Sequence, residues 1–444
     1  MRSERHVRVV VLGGGTAGCT AAALVAAAGL DTLLVRGGTP SGSARARTLL
    51  PGALELLDRV GVHEDLRVRP ATRVCEGLTL TTHDGARATS FWFDEARRPL
   101  GNGYHVLGED LENVLLAQAQ RSGVEVLEGW HAVAPRWHDR RLVGVLLRDA
   151  SGNEILLHSA VVLDATGRES FLADAMGWRF PYQQRARRSV FAHYQGVILP
   201  AGRVAATTSL VLSGHEALWL TPLGDGSASV SAVVSARPSG AWPGSAESIL
   251  AAAVARCPQV AAQLAGARQM LPAQVVENFP YRVMYVAGGG FCLIGDAAGF
   301  IDPAIVPGLL VALATGATAA QDVIETLPRR PNIERTDFGP TVTLTRTLHR
   351  LFLAFARVLY EPECQSLVLS GRSFGPLRRA LASLFAGDVL RPGDAWRRHA
   401  TLLAVRTLSH VQALSSRLGR PLVPPSASAA SGAQTPSLTG ASSL

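Results

Sequence analysis

Three short segments of the 444-residue chain carry residue types that can grip a phosphate-bearing ligand. The first is Gly13-Gly14-Gly15-Thr16-Ala17-Gly18, with Gly-x-Gly-x-x-Gly spacing. Glycines at these places let backbone amides approach a pyrophosphate, and the last one lets a helix pack closely on its strand. The second is Gly295-Asp296-Ala297-Ala298-Gly299-Phe300-Ile301-Asp302-Pro303, which follows an apolar run and precedes a helix-like stretch beyond Gly308. A carboxylate and helix amides at one point can hold a polyol hydroxyl and a phosphate together. The third, Asp164-Ala165-Thr166-Gly167, ends the apolar run 161–163 in a tight turn that brings backbone close to a dinucleotide. Two nucleotide signals nearly three hundred residues apart suggest one long ligand held by both.

Each segment needs a strand that stops at the loop. Residues 7–12 form a valine-rich run ahead of the glycines, 19–28 an alanine-rich helix closed by Gly29, and 32–35 the next strand. This is a βαβ unit of about thirty residues. The acidic residue usual at the end of the second strand is replaced by Arg36. An arginine cannot accept a ribose hydroxyl's hydrogen bond. It leaves a rearranged adenosine contact, a 2′-phosphate partner or a simple strand cap. Residues 49–60 read as a helix entered through Pro51, and 110–121 as an amphipathic helix. Runs at 190–197, 207–212, 217–220 and 228–234 read as strands of an antiparallel sheet flooring a second domain; 246–264 reads as a helix.

The fold class expected is α/β: a Rossmann-like nucleotide domain, an antiparallel β-sheet substrate domain and a C-terminal helical region. The boundaries are 1–185 and 276–330 for the nucleotide domain, 186–275 for the sheet domain and 331–421 for the helices. The tail 422–444 is rich in Ser, Ala, Pro and Gly and is expected to be disordered.

Composition narrows the chemistry. All 43 basic residues are arginine, because the chain contains no lysine, so no step needing a lysine amine can operate. The arginines are dispersed rather than gathered in a stripe, which argues against nucleic acid despite the net charge of +8. Five scattered cysteines without CxxC spacing fit a reducing cytoplasm and give no metal frame. No apolar run reaches the ~18–20 residues of a membrane span.

The three markers, taken in order, resemble the flavoprotein monooxygenase and flavin-dependent halogenase superfamily with the para-hydroxybenzoate hydroxylase fold. The resemblance implies FAD, with Gly13, Gly15, Thr16, Ala17 and Gly18 at the pyrophosphate, Asp164 and Gly167 near the cofactor, and Asp296 at its ribityl and phosphate part. The stretch from Arg45 through Pro51 to Val62 is similar to an early superfamily helix whose arginine, here Arg45, approaches FAD. Residues 189–197 are similar to the first strand of the halogenase substrate sheet, and 352–360 to the halogenase C-terminal helix.

A family halogenase passes hypohalous acid, made at a flavin C4a-hydroperoxide, to a lysine near the substrate. This chain lacks that lysine, keeps only the second tryptophan of the family's Trp-x-Trp stretch as Trp219, and has Pro307-Gly308 in the halide loop. Proline has no N–H, and losing one charge-assisted donor costs roughly 1.5–3 kcal/mol. The expectation is therefore a monooxygenase hydroxylating an electron-rich phenol, pyrrole or indole ring, free or borne on a peptide or carrier. The alternatives are an FAD oxidase or dehydrogenase, and an atypical halogenase. Pro307 and Gly308 would border the flavin, Trp219 would wall the pocket, and His193 or His105 would be the base. With one Gly-x-Gly-x-x-Gly only, reduction would come from NAD(P)H transiently or from a separate flavin reductase.

Overall fold

A computed structural model describes residues 2–38, 45–182, 187–213, 216–235, 244–278, 280–301, 308–369, 375–391 and 395–417. Strands β1 (Arg2–Leu12), β2 (Thr32–Arg36), β3 (Glu125–Glu128) and β4 (Glu154–Asp164) build a parallel sheet with helix α1 (Thr16–Ala27) crossing from β1 to β2. The order runs Phe291–Leu293, β4, β1, β2, β3, so the late strand joins the early ones. Valine and leucine fill its centre because a parallel sheet is covered on both faces. Val9, Val10, Val11, Leu33, Leu34, Val162 and Leu163 are all inaccessible. α1 is alanine-rich for the same reason, with eight buried residues. Its partner α2 (Gly308–Thr326) packs so closely that a Cβ on Gly316 would lie 2.6 Å from the Ala17 carbonyl oxygen.

The second sheet follows the order β5 (Arg187–Gln195), β8 (Ser227–Ser235), β7 (Glu216–Pro222), β6 (Thr207–Ser213), all antiparallel. Here the sheet takes in more chain than expected. Gly77–Thr82 pairs parallel with β6 and Ala88–Trp92 follows, so two strands from before residue 186 complete it. Alternation decides its faces. Val190, Ala192, Leu218, Val230 and Ala232 pack beneath the helices Ala246–Ala255 and Pro258–Gln263. The opposite face carries the row Phe191, Ser231, Trp219, Leu210 toward the nucleotide domain and the C-terminal helices.

Three local expectations shift for plain reasons. Residues 49–60 split into the strand Ala46–Leu49, a short 3-10 turn and the helix Leu54–Val60, because Pro51 sits at a helix start and lacks the N–H a strand needs. The helix expected over 246–264 breaks at Cys257, where Pro258 begins a new one. The helix expected from 110 starts at Gly108. The C-terminal region is helical through α3 (Gly339–Tyr360), Pro362–Val368, Gly375–Phe385 and Ala395–Arg417. The tail 422–444 lies outside the described residues.

Candidate functional site

The C-terminal ends of β1 and β4 and of the strand Phe291–Leu293 bring the three sequence markers together. Gly13 adopts φ +100°, and a Cβ there would lie 2.2 Å from the Ala165 carbonyl oxygen. A Cβ on Gly18 would lie 1.9 Å from the Gly13 carbonyl oxygen. The glycine turn is thus wedged against the turn after β4. Gly15 differs, since a Cβ on it would meet nothing within 4 Å. It is the N-cap of α1, with no side-chain cap and no acidic residue in the first turn. The opening amides of α1, from Thr16 onward, therefore face open space with their donors unused, which is the arrangement an anionic oxygen completes.

Asp296 stands at the next strand end, in the 3-10 turn Gly295–Ala298, and Ile294 caps that turn without its help. Burial pushes its carboxyl up, while Arg168 and then Arg47 pull it down. Arg47 belongs to the strand Ala46–Leu49 that precedes the Pro51 turn, and Arg45 lies just before that strand. Burial draws Arg45 down to about 9, and its charged neighbours Arg47 and Arg168 push the same way. The Arg47 Nε is buried without a hydrogen-bond partner. Guanidiniums held beside one another with unused donors fit a bound polyanion. Arg36 lies over the glycine turn: a Cβ on Gly14 would touch its Cδ at 2.8 Å, and its Nη1 is 3.4 Å from Glu128 Oε1.

Several expected residues take other roles. Asp164 is fully buried and its carboxylate is consumed by its own turn. Oδ1 accepts from the Thr166 N–H (3.1 Å) and hydroxyl (2.6 Å), and Oδ2 from the Leu172 N–H (2.8 Å). It shapes the loop carrying Gly167 (φ +65°). His105 is also fully buried, with Nε2 2.9 Å from the Thr208 hydroxyl, and burial, aided by Arg73, lowers it to about 3. A histidine so placed is a structural link between β-layers rather than a base. Trp219 is 5% exposed and belongs to the main core, so it supports the sheet face instead of lining open space. His193 remains partly accessible on that face. Gly308 opens α2, whereas Pro303 and Pro307 lie outside the described residues.

Sequence reasoning passed over the residues that lock the strand ends to each other. Ser170, held at φ +49°, donates to the Ala297 carbonyl (2.6 Å). The Tyr281 hydroxyl donates to the Asp296 carbonyl (2.6 Å). Gly295 donates its N–H to Thr315 on α2 (2.9 Å). A non-glycine residue in the left-handed region persists only where its surroundings over-determine it, and nothing local in the sequence marks that.

Comparison with known proteins agrees with this geometry. The family model described as FAD binding domain matches residues 6–327. A tryptophan 2-halogenase from Chondromyces crocatus is 25% identical over 328 residues, covering 73% of this chain and 62% of its own length. The chain thus spans under two thirds of that relative. A flavoprotein/dehydrogenase from Cytophaga hutchinsonii superimposes with a TM-score of 0.81 at 21% identity, covering 92% of this chain and all of that one. A flavin-dependent brominase superimposes with a TM-score of 0.79 at 18% identity, over 92% and 100% of the two chains. The chain belongs to the FAD binding domain family.

Proposed function

We propose that the chain is an FAD-dependent monooxygenase that hydroxylates an electron-rich aromatic ring, free or borne on a peptide or carrier. One observation carries the reading: the chain has no lysine. Arginine does not replace one, because its guanidinium is a spread, permanently charged fork rather than a compact ammonium. Pro307 supports it, since a proline offers no N–H to a halide.

The residues divide the labour simply. The opening amides of α1 and Arg45 with Arg47 would hold the FAD pyrophosphate; Asp296 would accept a hydrogen bond from the ribityl chain; Arg36 would border the adenosine end. Bound and reduced, FAD supplies electrons that convert O2 into an electrophilic oxygen donor. The face of β5 that presents the partly accessible His193 would orient the ring, and the apolar C-terminal helices would exclude water. The chain carries one glycine fingerprint, so reducing equivalents come from NAD(P)H in passing or from a separate flavin reductase.

The test supplies reduced FAD, 18O2 and bromide with a panel of phenol, pyrrole and indole rings, followed by mass spectrometry. A product heavier by one 18O atom is expected. The second reading, halogenation, is favoured by the similarity to a tryptophan halogenase, and a brominated product would establish it in place of the first. An oxidised product with no label from O2 would point instead to an oxidase or dehydrogenase.

A further inference from the structure

His349 lies on α3, outside every segment the nucleotide motifs cover. Its imidazole fits into a notch in the strand Gly299–Phe300, three residues beyond Asp296. A Cβ on Gly299 would lie 2.6 Å from His349 Cε1 and 3.1 Å from Nδ1. Gly299 also adopts φ +138°, which side chains disfavour. Backbone and imidazole are therefore matched at the point where the Asp296 segment turns toward Gly308.

The same helix face leads to the substrate sheet. His349, Leu353, Ala356 and Tyr360 follow one another at helical spacing, and the Tyr360 ring covers the Arg187 guanidinium at 4.2 Å. Arg187 stands on β5 four residues from Phe191, on the face turned away from the Ala246–Ala255 helix. One helical stripe thus connects the cofactor segment to the sheet face assigned to the ring. His349 lies deep enough for burial to draw it down to about 4, yet it keeps accessible surface, as Asp296, Arg45 and Arg47 do. Its helix neighbours Arg346 and Arg350 are exposed, and among the described residues the His349 ring has no hydrogen-bond or ion-pair partner.

We infer that His349 lines the substrate chamber and accepts a hydrogen bond from the O–H or N–H of a neutral aromatic substrate. The inference rests on the ring-oxidising reading above. Drawn down to about 4, the imidazole is neutral at physiological pH, so one of its two nitrogens carries no proton and serves as an acceptor. When a ring carbon bonds to the electrophilic oxygen, the oxygen donor's O–O bond breaks, its electron pair leaves with the departing oxygen, and positive charge develops on the ring. The substrate's O–H or N–H bond then breaks, its proton passes to the imidazole, and its electron pair returns to the ring system as a neutral carbonyl or imine. A base of low pKa suffices for a proton made so acidic.

The test separates donor from shape. FAD-loaded protein is titrated with phenol, anisole, indole and 1-methylindole, followed by the change in the flavin absorption band. The wild type is expected to prefer phenol over anisole and indole over 1-methylindole. His349→Phe should erase that preference, weakening the donor-bearing probes by roughly tenfold and leaving the methylated ones alone. His349→Gln, which keeps an acceptor, should retain part of it, and His349→Leu carries the same comparison if phenylalanine is not tolerated. Equal weakening of both probe types, an unchanged preference, a wild type that binds none of the four, or a flavin spectrum altered before any probe is added would overturn the inference. A brominated product in the isotope experiment would overturn the hydroxylation reading while leaving this preference intact, so the two can fail separately.

Discussion

Asp296 shows how a single side chain is selected by its surroundings. Its carboxylate has no hydrogen-bond donor among the described residues, but feels the charges of Arg168 and Arg47. Burying a carboxylate without hydrogen bonds is unfavourable, so a ligand hydroxyl has something to relieve. Removing a charged hydrogen-bonding group costs roughly 1.5–3 kcal/mol. Asp296→Ala should accordingly bind FAD about tenfold to a hundredfold more weakly in a flavin fluorescence titration, with the thermal midpoint of the apoprotein hardly changed. Unaltered affinity would remove Asp296 from the cofactor contact. Asp164 has the opposite history: an equally suggestive carboxylate at a strand end, spent entirely on three hydrogen bonds within its own turn.

At the level of elements, the site is a junction of strand ends rather than a pocket in one segment. The glycine turn packs on the turn after β4, Ser170 ties that turn to the Ala297 carbonyl, and Thr315 ties the Asp296 turn to α2. A side chain on Gly13 would collide with the Ala165 backbone, which cannot swing aside as a side-chain tip can. Gly13→Ala should therefore displace the α1 amides and reduce FAD retention through gel filtration sharply. Gly15→Ala should leave the thermal midpoint of the apoprotein unchanged, because its Cβ meets no protein atom within 4 Å, yet still lose FAD, because the methyl would stand where the pyrophosphate approaches; a lowered midpoint would contradict this packing.

Across the whole molecule, α2 and α3 couple the nucleotide domain to the C-terminal helices through one buried acid. Asp322 on α2 is 5% exposed and accepts from the Thr341 hydroxyl (2.6 Å) and N–H (3.2 Å) at the start of α3. Burial raises it from 3.8 to about 6 despite those bonds. The folded state then holds more protons than the unfolded state between about pH 4 and pH 6. This contribution to stability is fully present below that window and is lost as pH rises through it, by about 2 kcal/mol. Asp322→Asn should match the wild type most closely near pH 4 and gain on it toward pH 7 in denaturant titrations. A stability difference that does not change with pH would show that Asp322 is ionised without penalty.

The sequence by itself determined the cofactor class and the βαβ unit, because glycine spacing and valine-rich strands are local requirements. It also determined the absence of lysine, which no fold can alter. Its resemblance implied that Gly13, Gly15, Gly18, Arg45 and Asp296 share one ligand, and the structure brings the glycine turn and the Asp296 turn to neighbouring strand ends. Only the tertiary structure decided which polar groups remain available. Asp164 is used up by contacts within its own turn, His105 is buried against Thr208, and Trp219 is packed into the core. The Gly77–Thr82 strand leaves its sequence neighbours to pair with β6. His349 comes to rest on Gly299 from fifty residues away along the chain. Periodicity and turn chemistry report on neighbours in sequence, whereas hydrogen-bond satisfaction and burial depend on partners that distant segments supply.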